Sequence, residues 1–194
     1  FIDLAQKRGV FDSAKVAQLL EELMTLPDKA KTILGSKTQI QKFAQENYNK
    51  KSVFYIGRGL DYALAQEASL KLKEISYIHS EALAAGELKH GTIALIEEGT
   101  LVIAFVTQEE LQEKTISNIT ECRVRGAKIL AVVMEGNNAL DNEADFIWKL
   151  PRTMKEFAPV LAILPMQLLA YYTAVANGCD VDKPRNLAKS VTVE

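Results

Sequence analysis

The spacing of apolar residues changes character near residue 52. Upstream, "DSAKVAQLLEELMTL" (12–26) repeats apolar positions at helical intervals behind a capping candidate at Asp12 or Ser13, which predicts a helix running up to Pro27. "DKAKTILGSKTQIQKFAQENYNK" (28–50) continues the helical pattern with a break at Gly35 and Ser36, and no strand pattern occurs in this part. Downstream, short apolar runs alternate with helical ones. "SVFYIG" (52–57), "TLVIAFV" (100–106), "AKILAVVM" (127–134) and "DFIWKL" (145–150) read as four strands, apolar as in a sheet covered on both faces. Residues 61–78 and 108–126 repeat at helical spacing. The second of these sets Leu111, Thr115, Ile119 and Cys122 on one stripe and ends at Gly126. "APVLAILPMQLLAYYTAVANG" (158–178) closes the pattern, with Pro165 suited to a first helical turn and Gly178 to a helix end. Strands alternating with helices predict an α/β fold: a three-layer αβα sandwich around a parallel sheet. Connector helices over residues 1–49 precede the sandwich, which takes residues 50–194.

Composition narrows the function more than the fold. The 194 residues are 48% apolar, enough to fill one core, and 23 basic against 25 acidic residues leave a net charge of −2. Without a basic stripe or arm, duplex nucleic acid is excluded as a partner. Two cysteines, Cys122 and Cys179, lie far apart and only two histidines are present, so neither a disulfide framework nor a structural zinc site is expected. That usage suits a reducing, cytoplasmic setting. "FIDLAQKRGVFDS" has no apolar core, so no secretory leader is expected at this start. Residues 158–178 approach spanning length, but Pro159, Pro165, Gln167, Thr173 and two tyrosines interrupt them, so they read as a buried core helix and no membrane is expected.

Ligands of such sheets sit beyond the carboxyl ends of the strands. The first end, "GRGLDYAL" (57–64), lacks the third glycine of a dinucleotide loop and the lysine of a phosphate loop, so no cofactor is expected. The second, "VTQEE" (106–110), carries two carboxylates that repel a phosphate. Along residues 64–78, at about 100° per residue, Leu64, Ala68, Leu72 and Ile75 share a core stripe. Glu67, Lys71, Glu74 and Ile78 follow its border, and Lys73 points away. Two readings of that border stand. One is a surface ladder contributing about 0.2–0.5 kcal/mol per pair; the other is a half-buried carboxylate beside an ammonium, poised for proton transfer. His79 falls on the apolar stripe if the helix continues, which gives it a packing role. His90, in "GELKHG" between two glycines, faces a cleft and is the candidate for chemistry. The tail, "CDVDKPRNLAKSVTVE" (179–194), lacks periodicity. It reads either as a loose terminus or as the carrier of Lys189, an amine whose proton affinity nearby Lys183 and Arg185 lower toward a carbonyl-reactive form.

"LKLKEISYIHSEALAAGELKHGTIALIEEG" (70–99) and "DVDKPRNLAKSVTVE" (180–194) resemble the C-terminal part of the glutamine–fructose-6-phosphate aminotransferase (isomerising) family. The likeness covers about residue 50 to Glu194. It implies a second sugar-isomerase (SIS) lobe of two, with Lys189 forming a Schiff base to the ketone of fructose 6-phosphate and Ala188 beside it at the substrate. Glu74 then moves the proton between C1 and C2, His90 assists ring opening, and Lys71 supports Glu74. In that family the histidine serves the neighbouring subunit, so the resemblance implies a homodimer. The family's phosphate-gripping loop belongs to the first lobe, and its glutaminase half works with an N-terminal cysteine where this chain opens with Phe1. The chain alone is therefore expected to be inactive. Thr92 departs from the proline some relatives carry beside the histidine. A sugar-phosphate-sensing SIS module shares the sheet, but has no need of a reactive lysine beside a glutamate.

Overall fold

Five parallel strands form one sheet in the order β2-β1-β3-β4-β5. They are β1 (Ser52–Gly57), β2 (His79–Ala84), β3 (Leu101–Val106), β4 (Lys128–Met134) and β5 (Phe146–Leu150). The helices are α1 (Ile2–Lys7), α2 (Ser13–Gly35), α3 (Lys37–Asn47), α4 (Leu60–Ser76), α5 (Gln112–Arg123) and α6 (Ala158–Ala176). The computed structural model describes residues 1–186.

Successive strand residues point to opposite faces, which divides the core in two. Val53, Tyr55, Ile103, Phe105, Leu130 and Val132 pack under α2, α3, α4 and α6. Phe54, Ile56, Val102, Ala104, Ile129 and Ala131 pack against α5 and the 3₁₀ segment Ala85–His90. Both faces are dry, which is why the central strands read as unbroken apolar runs. The chain leaves β1 over one face and β3 over the other, so the sheet's switch point lies between these neighbours.

The helices upstream of β1 are part of this packing. Leu26 and Ile33 of α2 and Ile40, Phe43 and Ala44 of α3 share the core beneath α6. Asp12 caps α2 by accepting the Lys15 N–H at 2.7 Å. Glu22 accepts from Thr153 Oγ1 at 2.6 Å and from the Lys29 ammonium, tying α2 to the link between β5 and α6. Lys29 first, then Thr153, holds the Glu22 carboxyl below its ordinary range.

Five local expectations are corrected. The helix predicted to stop at Pro27 runs through it to Gly35, because Leu26 and Ile33 bury the same stripe on either side. Pro165 lies inside α6, buried, and Pro159 occupies the first turn instead. The helix after β1 ends at Ser76, two residues short of the predicted end. A fifth strand, β2, follows after a two-residue link. Being an edge strand, β2 buries Ser80 and leaves its other residues exposed or half-exposed, so it carries no apolar run. His79 opens that strand, exposed rather than packed.

Candidate functional site

Side chains of the chain itself fill the switch-point crevice. Gly57 ends β1 so tightly against the first turn of α4 that an added Cβ would stand 2.5 Å from the Asp61 carbonyl. Asp61, 3% exposed, lies in that first turn and accepts the Thr107 backbone N–H at 2.9 Å and the Thr107 hydroxyl. Burial pushes its carboxyl up, and the two Thr107 bonds oppose that only partly. Arg58 is drawn aside by Asn118 at 2.8 Å, and its carbonyl takes the Gln108 side-chain N–H at 2.8 Å. A carboxylate thus stands where a sheet of this type receives an anion at a helix N-terminus. Further along the strand ends, Glu109 and Glu110 are matched by Arg152 at 3.4 Å and Lys155 at 2.8 Å, in open grooves of about 360 and 420 Å³.

The acid–base candidates sit at the other end of the molecule. A helix of 17 residues is about 25 Å long and carries α4 from the carboxyl end of β1 back to the amino end. There the chain enters β2, whose His79 pairs in register with Ser52. Glu74 is in the last turn of α4. Its carboxylate is 2.8 Å from the Lys71 ammonium, which lies 3.5 Å from Glu67 on its other side. Side-chain exposures of 32% for Lys71 and 27% for Glu74 place the pair at the core's border rather than on a solvated ladder. The hydrogen bond to Glu74 holds Lys71 above the ordinary lysine range against an opposing effect of burial. Lys71 is therefore a fixed cation and not a free-amine nucleophile.

Glu74 opens onto a cleft of about 480 Å³ lined also by Leu70, Lys73, Tyr77, Arg185 and Asn186. Tyr77 caps α4 in a left-handed conformation, φ +62, which costs a side-chain-bearing residue about 1–2 kcal/mol. Its hydroxyl accepts the Arg185 backbone N–H at 2.9 Å, and the Arg185 guanidinium lies 4.0 Å from its ring centroid. The described chain ends in this cleft, at Asn186. Ala188 and Lys189 lie outside the described residues.

His90 is not brought to Glu74 within one chain. Its segment packs on the α5 side of the sheet, with Ala85 and Leu88 buried there and Lys89 paired to Glu121 at 2.9 Å, whereas α4 covers the opposite face. The His90 side chain is 74% exposed and pairs with Glu87 at 2.7 Å. Helical spacing identified Lys71 and Glu74. No comparable signal marks Tyr77 and Arg185, which meet across 108 positions of sequence, or Asp61.

The SIS domain family model matches residues 47–177. Over 193 residues the chain is 61% identical to a glutamine–fructose-6-phosphate aminotransferase [isomerizing] of Caldanaerobacter subterraneus subsp. tengcongensis, covering all of this chain and 32% of that protein. A Clostridium tetani protein of the same name is 54% identical over 98% of this chain and 31% of its own length. The chain thus spans about a third of these relatives. Among solved structures, the C-terminal domain of glucosamine-fructose-6-phosphate aminotransferase from Francisella tularensis superposes with a TM-score of 0.87 at 35% identity, over 94% of this chain and 52% of that one.

Proposed function

The chain belongs to the SIS domain family, and on that premise we propose that it is the C-terminal isomerase lobe of a glutamine–fructose-6-phosphate aminotransferase. The Lys189 amine adds to the C2 ketone of fructose 6-phosphate and water leaves, giving a Schiff base. Ammonia displaces the lysine and leaves an imine at C2. The Glu74 carboxylate takes a proton from C1 and returns it to C2, so that C1 becomes the aldehyde and C2 bears the amine of glucosamine 6-phosphate. Lys71, a permanent cation 2.8 Å from Glu74, holds that carboxylate in place. Ala188 lies beside the sugar, and His90 serves ring opening in the neighbouring subunit of a cytoplasmic homodimer. The phosphate is gripped by a preceding lobe, since this lobe's own crevice holds Asp61.

One observation carries the reading. Asn186, three residues before Lys189, lines the same cleft as Glu74, and three extended residues reach about 10 Å. The terminal lysine and the helix glutamate are thereby within reach of one hexose. Borohydride reduction in the presence of fructose 6-phosphate, on a protein holding both lobes, tests this: a sugar adduct is expected on Lys189. An adduct on another lysine, or binding without an adduct, overturns the catalytic reading, and the second outcome favours a sugar-phosphate sensor.

A further inference from the structure

Tyr77 stands where a helix end ordinarily takes glycine. Its φ of +62 disfavours a large side chain, and such strain persists where surrounding contacts over-determine it. Two of those contacts come from Arg185: its backbone N–H on the Tyr77 hydroxyl, and its guanidinium on the ring. The path leading to Arg185 is shaped as well. Asn177 donates to the Tyr48 carbonyl at 3.0 Å, and the Asp180 carboxylate accepts the N–H groups of Asp182 and Lys183, both at 3.0 Å. A turn closed by a side chain is thus followed by a residue held at both its backbone and its side chain. Glu74, three positions before Tyr77, shares the cleft this grip closes on.

We propose that Tyr77 is a positioning residue. By gripping Arg185 it seats the start of the terminal segment beside Glu74, and so aims the Lys189 amine at the carbon next to the one Glu74 deprotonates. The inference rests on the assignment of Lys189 and Glu74 made above. Lys189 lies four positions after Arg185, and an extended stretch of that length spans about 14 Å. Releasing residue 185 therefore lets the amine sample positions many ångströms from the ketone, and a misplacement of about 1 Å already lowers rates by up to roughly a hundredfold.

The experiment uses the full-length enzyme. Tyr77→Gly removes the grip while suiting the left-handed backbone, so the helix end is retained. Its kcat and its rate of borohydride trapping on Lys189 are expected to fall roughly ten- to a hundredfold, with KM for fructose 6-phosphate nearly unchanged. Tyr77→Phe, which keeps the ring over the guanidinium, is expected to recover most of the loss. Should Tyr77→Gly unfold at a lower temperature, Arg185→Ala leaves α4 and its cap untouched and is expected to show the same fall. Unchanged kcat in a folded Tyr77→Gly or Arg185→Ala enzyme overturns the proposal. Lys189→Arg separates this from the underlying assignment: turnover by that variant removes the role given to Lys189, whereas its inactivity beside a fully active Tyr77→Gly removes only the role given to Tyr77.

Discussion

Asp61 is a carboxylate that the fold prefers uncharged. Its burial raises the pKa above the ordinary 3.8, and the Thr107 bonds do not offset this. For a group raised in the folded state, the stabilising contribution is complete below the unfolded value and is lost as pH climbs through the folded one. Stability therefore declines, on account of Asp61, across a window opening near 3.8 and extending up through the raised value. Asp61→Asn keeps an acceptor for the Thr107 N–H and removes the titration. Its unfolding free energy, followed by urea titration from acid to neutral pH, is expected to lack this decline, and slopes matching the parent protein's would refute the account. Asp61→Ala, by contrast, strands the buried Thr107 N–H and hydroxyl. It is expected to lower stability by roughly 1–3 kcal/mol at any pH, the cost of leaving such groups unpaired.

Among elements, α2 shows a local rule yielding to packing. Pro27 has no N–H to give the Leu23 carbonyl, and an interior proline is less favourable than alanine by about 3 kcal/mol. The helix nevertheless continues, because Leu26 and Ile33 bury one stripe under α6. Pro27 itself is exposed, so Pro27→Ala restores a backbone bond without disturbing the core. It is expected to raise the unfolding free energy by about 1–2 kcal/mol, part of the gain being returned through a freer unfolded chain. A denaturation midpoint equal to or below the parent's would show that α2 has already relaxed around the proline. The same competition decides what the sequence reveals. Strands β1, β3 and β4 were legible because both their faces are buried and their residues are uniformly apolar. The edge strand β2 was not, since "HSEALA" is only half-buried, with Ala82 and Leu83 touching the two cores from the rim, and it buries Ser80 on Ser69 through a hydroxyl pair at 3.0 Å. Lys71 and Glu74 were visible through helical spacing. The cleft they border was not, because Tyr77 and Arg185 are joined by the path of α6 and its exit, which no local pattern encodes.

At the scale of the whole molecule, the sheet separates the two groups assigned to one reaction. Glu74 lies under the α4 face and His90 belongs to the α5 face, so a single lobe does not bring them together. If His90 completes the site of a neighbouring subunit, the two roles can be supplied by different chains of a two-fold dimer. Take two inactive full-length variants, Glu74→Gln and His90→Asn, and let their subunits exchange. In the mixed dimer, one site combines both defects and the other combines an intact Glu74 with an intact His90. Half of the dimers are mixed and half of the sites in those are whole, so activity is expected to return to roughly a quarter of the parent enzyme's. Were His90 to act within its own chain, each site of the mixed dimer would carry one defect, and the mixture would stay as inactive as its components. The exposed position of His90 favours the first outcome, since a side chain 74% open to solvent and paired to Glu87 is free to enter a second subunit.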